Sequence, residues 1–180
     1  MFTLIKQFLF LLMLTLVTSQ ITYADNLKTM NSQRLQATYS HKFLKFVSWG
    51  SNANAPNFVF CVLSSDNYFG NAWAYLNDKK VAQGTISVQY FTTAPANHQL
   101  LRCNGVYVDS LFPYQGLKKL LASTSMLTIV QEDIAAKDIG VFIFYQNGHK
   151  LEFKVSLSVA RSKGIQVDTS LLLLAKEVIR

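Results

Sequence analysis

Acidic side chains are sparse in this 180-residue sequence, ten against seventeen lysines and arginines, and histidine (three) and cysteine (two) are sparser still. So few imidazoles and thiols form no C-x-x-C, H-E-x-x-H or other metal-ligand spacing, and neither a metal nor another cofactor is expected. The eight glycines are dispersed, with no G-x-G-x-x-G and no G-x-x-x-x-G-K-[ST], so a phosphate-cradling loop and nucleotide hydrolysis lack support. Charged residues make up 15% and hydrophobic residues 50% of the chain, the reverse of a disordered composition, and the length suits one sizeable core. A formal charge of +7 invites a nucleic-acid partner, but the basic residues are scattered without a run. The surplus reads as a solvated surface that an anionic membrane leaflet could also exploit, with no nucleic acid involved.

Long apolar runs are missing too, apart from the ten residues Phe8 to Val17. Ten is too short to span a bilayer. Lys6 precedes this run and Thr22-Tyr23-Ala24 follows it with small residues, the layout of an export signal cleaved after Ala24. Residues 1–24 are therefore expected to leave, and residues 25–180 to form one domain with a net charge of +6 that is not itself membrane-spanning. No asparagine has Ser or Thr two positions on, which favours a bacterial periplasm weakly.

An exported chain meets oxidising conditions, so Cys61 and Cys103 are expected to pair. A catalytic thiol at Cys61 is the competing reading. It needs a nearby histidine or cation to depress its pKa, and His41, His98 and His149 form no recognisable Cys/His constellation.

Hydrophobic spacing predicts a first amphipathic helix from Leu27 to Trp49, with Leu35, Tyr39, Phe43, Phe46 and Val47 inward and Gln33, Ser40 and Lys45 elsewhere. Asn57 to Leu63 is apolar on both faces and reads as a central strand, followed by a helix from about Tyr68 to Leu76. Thr85 to Phe91 alternates as a strand with one exposed face. Gly105 to Asp109 and Met126 to Val130 are further short apolar runs around a helical segment, Tyr114 to Ala122. Val141 to Tyr145 and Leu151 to Leu157 flank Asn147-Gly148, a hairpin whose second arm buries Leu151, Phe153, Val155 and Leu157 and exposes Glu152, Lys154 and Ser156. Two helices would finish the chain. The fold class is α/β: a single-domain sandwich with a mixed sheet, helices on both faces and a C-terminal antiparallel hairpin.

Chemistry-bearing residues are few. Ser64, Ser65 and Asp66 stand at the carboxyl end of the central strand, where open α/β sheets often take small ligands, although Asp66 or Asn67 also suits a helix N-cap. Glu132 and Asp133 are adjacent carboxylates that could do acid/base work, or could cap a helical turn over residues 133–137. Leu171, Leu172, Leu173 and Leu174 cannot all face one core from a helix, since successive residues point about 100° apart. At least one must face outward or meet a partner.

Taken together, Tyr39-Ser40-His41-Lys42-Phe43-Leu44-Lys45-Phe46-Val47-Ser48-Trp49, Phe60-Cys61-Val62-Leu63 with Tyr68-Phe69-Gly70, Leu127-Thr128-Ile129-Val130, the hairpin, and Ala160 to Ile165 leading to Leu171-Leu172-Leu173-Leu174-Ala175 resemble the YfiR-like family of exported bacterial proteins. The resemblance implies a periplasmic repressor, not an enzyme, that forms a homodimer and binds the periplasmic region of an inner-membrane diguanylate cyclase, limiting cyclic di-GMP and biofilm formation. It also implies a Cys61–Cys103 bridge. A second cysteine pair found in some members is missing here. The family's Phe-Glu-Ile-Asn after the hairpin is Phe153-Lys154-Val155-Ser156, a reversed charge that bears on partner choice. The partner surface is accordingly expected at Lys154, Ser156, Leu171, Leu172, Leu173 and Leu174. The alternative is a periplasmic small-ligand binder feeding a sensor kinase, with Ser64, Ser65 and Asp66 in its cleft. A hydrolase ranks third, because no nucleophile, base and oxyanion set can be assembled.

Overall fold

The structure, a computed structural model, describes residues 31–49, 57–66, 69–82, 84–132, 138–148 and 150–180. The export signal, its cleavage after Ala24, Asn67, Asp133 with the turn over 133–137, and His149 lie outside the described residues.

Asn57–Leu63 (β2) is the axis of the fold. Its alternate side chains enter two different cores, Phe58, Phe60 and Val62 one and Cys61 and Leu63 the other, so both faces must be covered. It pairs in parallel with β4 (Gly84–Phe91) on one side and β5 (Gly105–Val108) on the other. Parallel strands β6 (Leu127–Gln131) and β7 (Phe142–Asn147) extend the sheet from β5. Antiparallel β8 (Lys150–Ser156) closes the expected hairpin on β7, and β3 (Lys80–Val81) borders β4. The eight-stranded order is β10-β8-β7-β6-β5-β2-β4-β3, with β10 being Glu177–Ile179 parallel to β8. This is the single-domain mixed α/β sandwich that the hydrophobic patterning predicts.

One face of the sheet carries a helix over residues 31–44 (α1), joined there by the short helices α2 (Phe69–Trp73), α5 (Leu157–Ser162) and α6 (Thr169–Leu172). Its core is aromatic: Phe43 stacks on Phe142 at 4.2 Å and leans on Phe153 at 4.8 Å, and Trp73 packs between Phe60 and Tyr107. The opposite face is covered by α3 (Asn97–Leu100) and α4 (Lys118–Ser123). There Cys61 and Cys103 are bonded as expected, with Cα atoms 5.8 Å apart, tying β2 to the turn before β5. Among the described residues no helix is long and apolar enough to cross a membrane.

Four sequence expectations need correction. The first helix stops at residue 44, because Val47–Trp49 (β1) pairs antiparallel with Ile165–Val167 (β9) in a separate two-stranded ribbon. Its buried stripe is also rotated: Gln33, Gln36 and Ser40 are buried while Leu35 is exposed. The inward polar groups have partners, Tyr107 Oη donating to Gln36 Oε1 at 2.9 Å and Ser40 Oγ to the Gln36 carbonyl at 2.9 Å. Polarity alone therefore misassigned the face. Third, Ser156 is buried rather than exposed, since strand β8 ends there and its hydroxyl accepts from Val159 N to cap α5. Fourth, the two closing helices are only six and four residues long, interleaved with β9 and β10.

The ribbon is fastened to the end of α4 by side chains. Trp49 Nε1 donates to Ser125 O at 2.9 Å, and buried Lys163 Nζ donates to the carbonyls of Leu121 and Thr124. Burial pulls the Lys163 pKa down to about 8.

Replacing both bridge cysteines, Cys61→Ser with Cys103→Ser, is expected to lower unfolding free energy by roughly 2–4 kcal/mol, with a loop of this size giving about 4 by chain entropy. Urea denaturation of oxidised wild type against the variant measures the loss. Coincident curves would mean that core packing alone restrains the region.

Candidate functional site

Two places collect the sequence-predicted residues. The first is the carboxyl edge of the parallel strands. From β2 the chain crosses to β4 on one side and then returns to β5 on the other, so the ends of β2 and β5 flank the point where strand order reverses, a position where α/β sheets leave a crevice. Ser64 and Asp109 follow these two strands directly, and Ser64 Oγ donates to Asp109 Oδ2 at 3.0 Å. Asp66 N donates to the same hydroxyl at 3.2 Å, and Gln33 Nε2 at the start of α1 donates to Asp66 Oδ2 at 3.2 Å. Ser65 is exposed beside them.

A cavity of about 60 Å³ opens between Val62, Ser64, Asp66, Gly70, Tyr90 and Thr92. That volume suits a group of a few atoms rather than a drug-sized molecule. Asp109 and Gln33 escaped the sequence reading. Asp109 ends an apolar run recognisable as a strand, but its meeting with Ser64 depends on β5 lying beside β2, which is a matter of strand order.

Burial raises the Asp109 carboxyl above its usual range, and hydrogen bonds from Ser64 and from the Ser110 main chain oppose the shift. A folded-state pKa above the unfolded one favours folding while the acid is protonated, and this contribution is lost as pH rises through the folded pKa. At neutral pH the ionised Asp109 thus weakens the fold.

The second place is the outer face of the hairpin. Lys154 is held between Glu132 Oε1 at 3.1 Å and Glu177 Oε2 at 3.2 Å, with its ammonium 5.1 Å from the Tyr145 ring centre. These carboxylate contacts, Glu132 first, raise the lysine pKa. The Tyr145 hydroxyl donates to Glu152 and, with the Asn147 amide, holds that carboxyl below its ordinary value. Glu132 is thus engaged in an ion pair. Alongside, Lys176 N donates to Phe153 O, which brings the end of the leucine run against β8. Leu171 is buried and Leu172 half-buried, while Leu173 is 82% and Leu174 70% exposed. Lys154 alternates with Phe153 and Val155 and so points to the sheet face opposite the aromatic core, where Leu171 and Leu172 pack, while Leu173 and Leu174 stand exposed beyond α6 and Ser156 is inside. Around Lys154 the sequence reading missed Glu177, whose strand is only three residues long.

The Asp109→Asn variant, neutral at every pH, is expected to melt no lower than wild type at neutral pH, with its relative standing declining in acid. Thermal melts across pH 4 to 7 check the sign. A loss above about 1 kcal/mol at neutral pH would mean that the ionised carboxylate's hydrogen bonds outweigh its burial.

The sequence profile of the YfiR/HmsC-like family matches residues 33–176. No curated protein matches the chain. Among solved structures, an ABC domain from Streptococcus pneumonia in complex with L-Trp is similar, with a TM-score of 0.50 at 11% identity over 68% of this chain and 56% of that one. Such an identity speaks for fold alone. The family match, by contrast, runs from α1 to the residue before β10, and the chain belongs to the YfiR/HmsC-like family.

Proposed function

We propose that the mature protein, residues 25–180 after cleavage behind Ala24, is a periplasmic repressor. It binds the periplasmic region of an inner-membrane diguanylate cyclase and thereby limits cyclic di-GMP and biofilm formation. Membership of the YfiR/HmsC-like family carries this reading. The protein acts by binding rather than catalysis, and repression is a linkage: it shifts the cyclase only by its greater affinity for the inactive state.

The docking surface centres on Leu173 and Leu174, two adjacent leucines exposed after α6 that offer an apolar anchor, and Lys154 with its carboxylates is a further contact on the other face of the hairpin. Because both carboxylates are its own, the lysine presents little net charge, and the leucines supply most of the affinity. Leu171 and Leu172 support this surface from beneath, and Ser156 contributes only by capping α5. A homodimer belongs to the same proposal, since a second copy offers the same leucines.

Affinity capture from detergent-solubilised membranes with the oxidised protein is expected to recover a membrane diguanylate cyclase. A Leu173→Asp, Leu174→Asp double variant should recover it at least about tenfold less efficiently, the scale of one lost hot spot. Recovery of a sensor kinase, or of nothing above background, would sink the repressor reading.

The second reading is a periplasmic small-ligand binder feeding a sensor kinase. The bonded Ser64–Asp109 pair at the switch point favours it, with Ser64 and Asp66 lining the small cavity beside it and Ser65 exposed next to them. Calorimetry with a panel of polar metabolites should then show saturable binding that Ser65→Ala weakens and Ser64→Ala abolishes. Binding indifferent to both substitutions would place the ligand elsewhere.

A further inference from the structure

The lysines that look scattered in sequence are gathered by the fold. Lys42 lies in the last turn of α1 and Lys45 directly after it, while Lys79 precedes β3 and Lys80 opens it. His41, one residue before Lys42, reaches the main chain of Lys80 and so joins the end of α1 to the start of β3. Burial first, and then the Lys45 and Lys79 charges, hold its pKa below 6.5, while a hydrogen bond to the Lys80 main chain opposes them. The imidazole thus feels ammonium groups of both segments, thirty-odd residues apart in the chain.

None of these four lysines has a carboxylate partner among the described residues. The ion pairs there are Lys118 with Asp138, and Lys154 with Glu132 and Glu177. Asp78, in the same turn as Lys79, takes part in none of them. Lysines at the end of α1 complement its dipole, but that does not explain the second pair, which comes from another segment. Two of the lysines lie over tyrosines instead: Lys79 Nζ is 4.6 Å from the Tyr75 ring centre and Lys42 Nζ 5.8 Å from that of Tyr39. Tyr75 is 39% exposed.

We infer that this end of the molecule is a docking surface for anionic lipid headgroups, formed by Lys42, Lys45, Lys79 and Lys80 with Tyr75 at the interface. Unpaired ammonium groups are drawn to a negative leaflet by charge, each changing affinity about fivefold near the surface. Tyrosine is among the side chains that settle at the headgroup level, apolar body inward and hydroxyl in water, which favours a bilayer over an acidic protein segment. The patch lies at the amino ends of the parallel strands, away from the crevice beside Ser64. It holds the protein at the membrane without using the hairpin face. The inference goes beyond repression, because lipid contact requires no protein partner.

The test is flotation of the protein, purified from the periplasm of its host, with protein-free vesicles of phosphatidylcholine with or without phosphatidylglycerol. Binding is expected only with phosphatidylglycerol, falling as salt rises. Exchanging Lys42, Lys45, Lys79 and Lys80 for Gln should reduce it well over tenfold, whereas the same exchange at Arg102, Lys119, Lys150 and Arg161 should leave it within about threefold. Both variants must keep the wild-type melting temperature. If the patch variant does not, Lys79→Gln with Lys80→Gln, at the start of the short edge strand β3, replaces it, with a similar exchange at Lys150 and Arg161 as its control. No binding to anionic vesicles, equal loss in both variants, or retention on an acidic polypeptide but not on vesicles would each overturn the inference.

Discussion

Both faces of β2 are apolar, and the rest of the molecule is arranged to satisfy that. A strand with Phe58, Phe60 and Val62 on one side and Cys61 and Leu63 on the other cannot lie at a solvated edge, so it takes parallel neighbours on both flanks and helices above and below. The aromatic layer under α1 and the disulfide layer under α3 and α4 are the two coverings. Crossing from β2 to opposite sides of the sheet is also what creates the switch point, so the requirement that buries the strand brings Ser64 to Asp109.

Polar groups inside this frame act as fasteners. Gln33, Gln36 and Ser40 point inward from α1, and two of them reach the sheet or its edge, Gln36 through Tyr107 and Gln33 through Asp66. Lys163 and Trp49 tie the β1–β9 ribbon to the carbonyls after α4. Each such bond stabilises only modestly in net terms, but leaving a buried partner unmade costs more, so they specify the orientation of α1 and of the ribbon.

Function is distributed over the outside of this core. The end of α6 offers exposed leucines, the hairpin an ion network of Lys154 with Glu132 and Glu177, the carboxyl edge a small crevice, and the opposite end lysines without a carboxylate partner among the described residues. These surfaces are built from different residues, so substitutions at one leave the others' side chains in place. Lys154 illustrates the economy: a position where the family resemblance expects an acid carries a lysine, and the chain's own Glu132 and Glu177 absorb its charge.

Local pattern sufficed wherever periodicity and burial coincide. The two-faced run of β2, the alternation in β4 and in most of β8, the Asn147-Gly148 turn and the outward leucines are legible because each follows from side-chain direction within one element. The disulfide was legible from cysteine number and compartment. What only the tertiary structure decided is what depends on pairing between distant segments: the end of α1 at residue 44, imposed by β9 more than a hundred residues on, and the inward turn of Gln33 and Ser40. The partnership of Ser64 with Asp109 and the approach of Lys45 to Lys79 and Lys80 around His41 belong there too. A polar side chain looks solvent-facing in sequence whether or not a partner awaits it inside, and like charges look scattered until strand order sets their segments side by side.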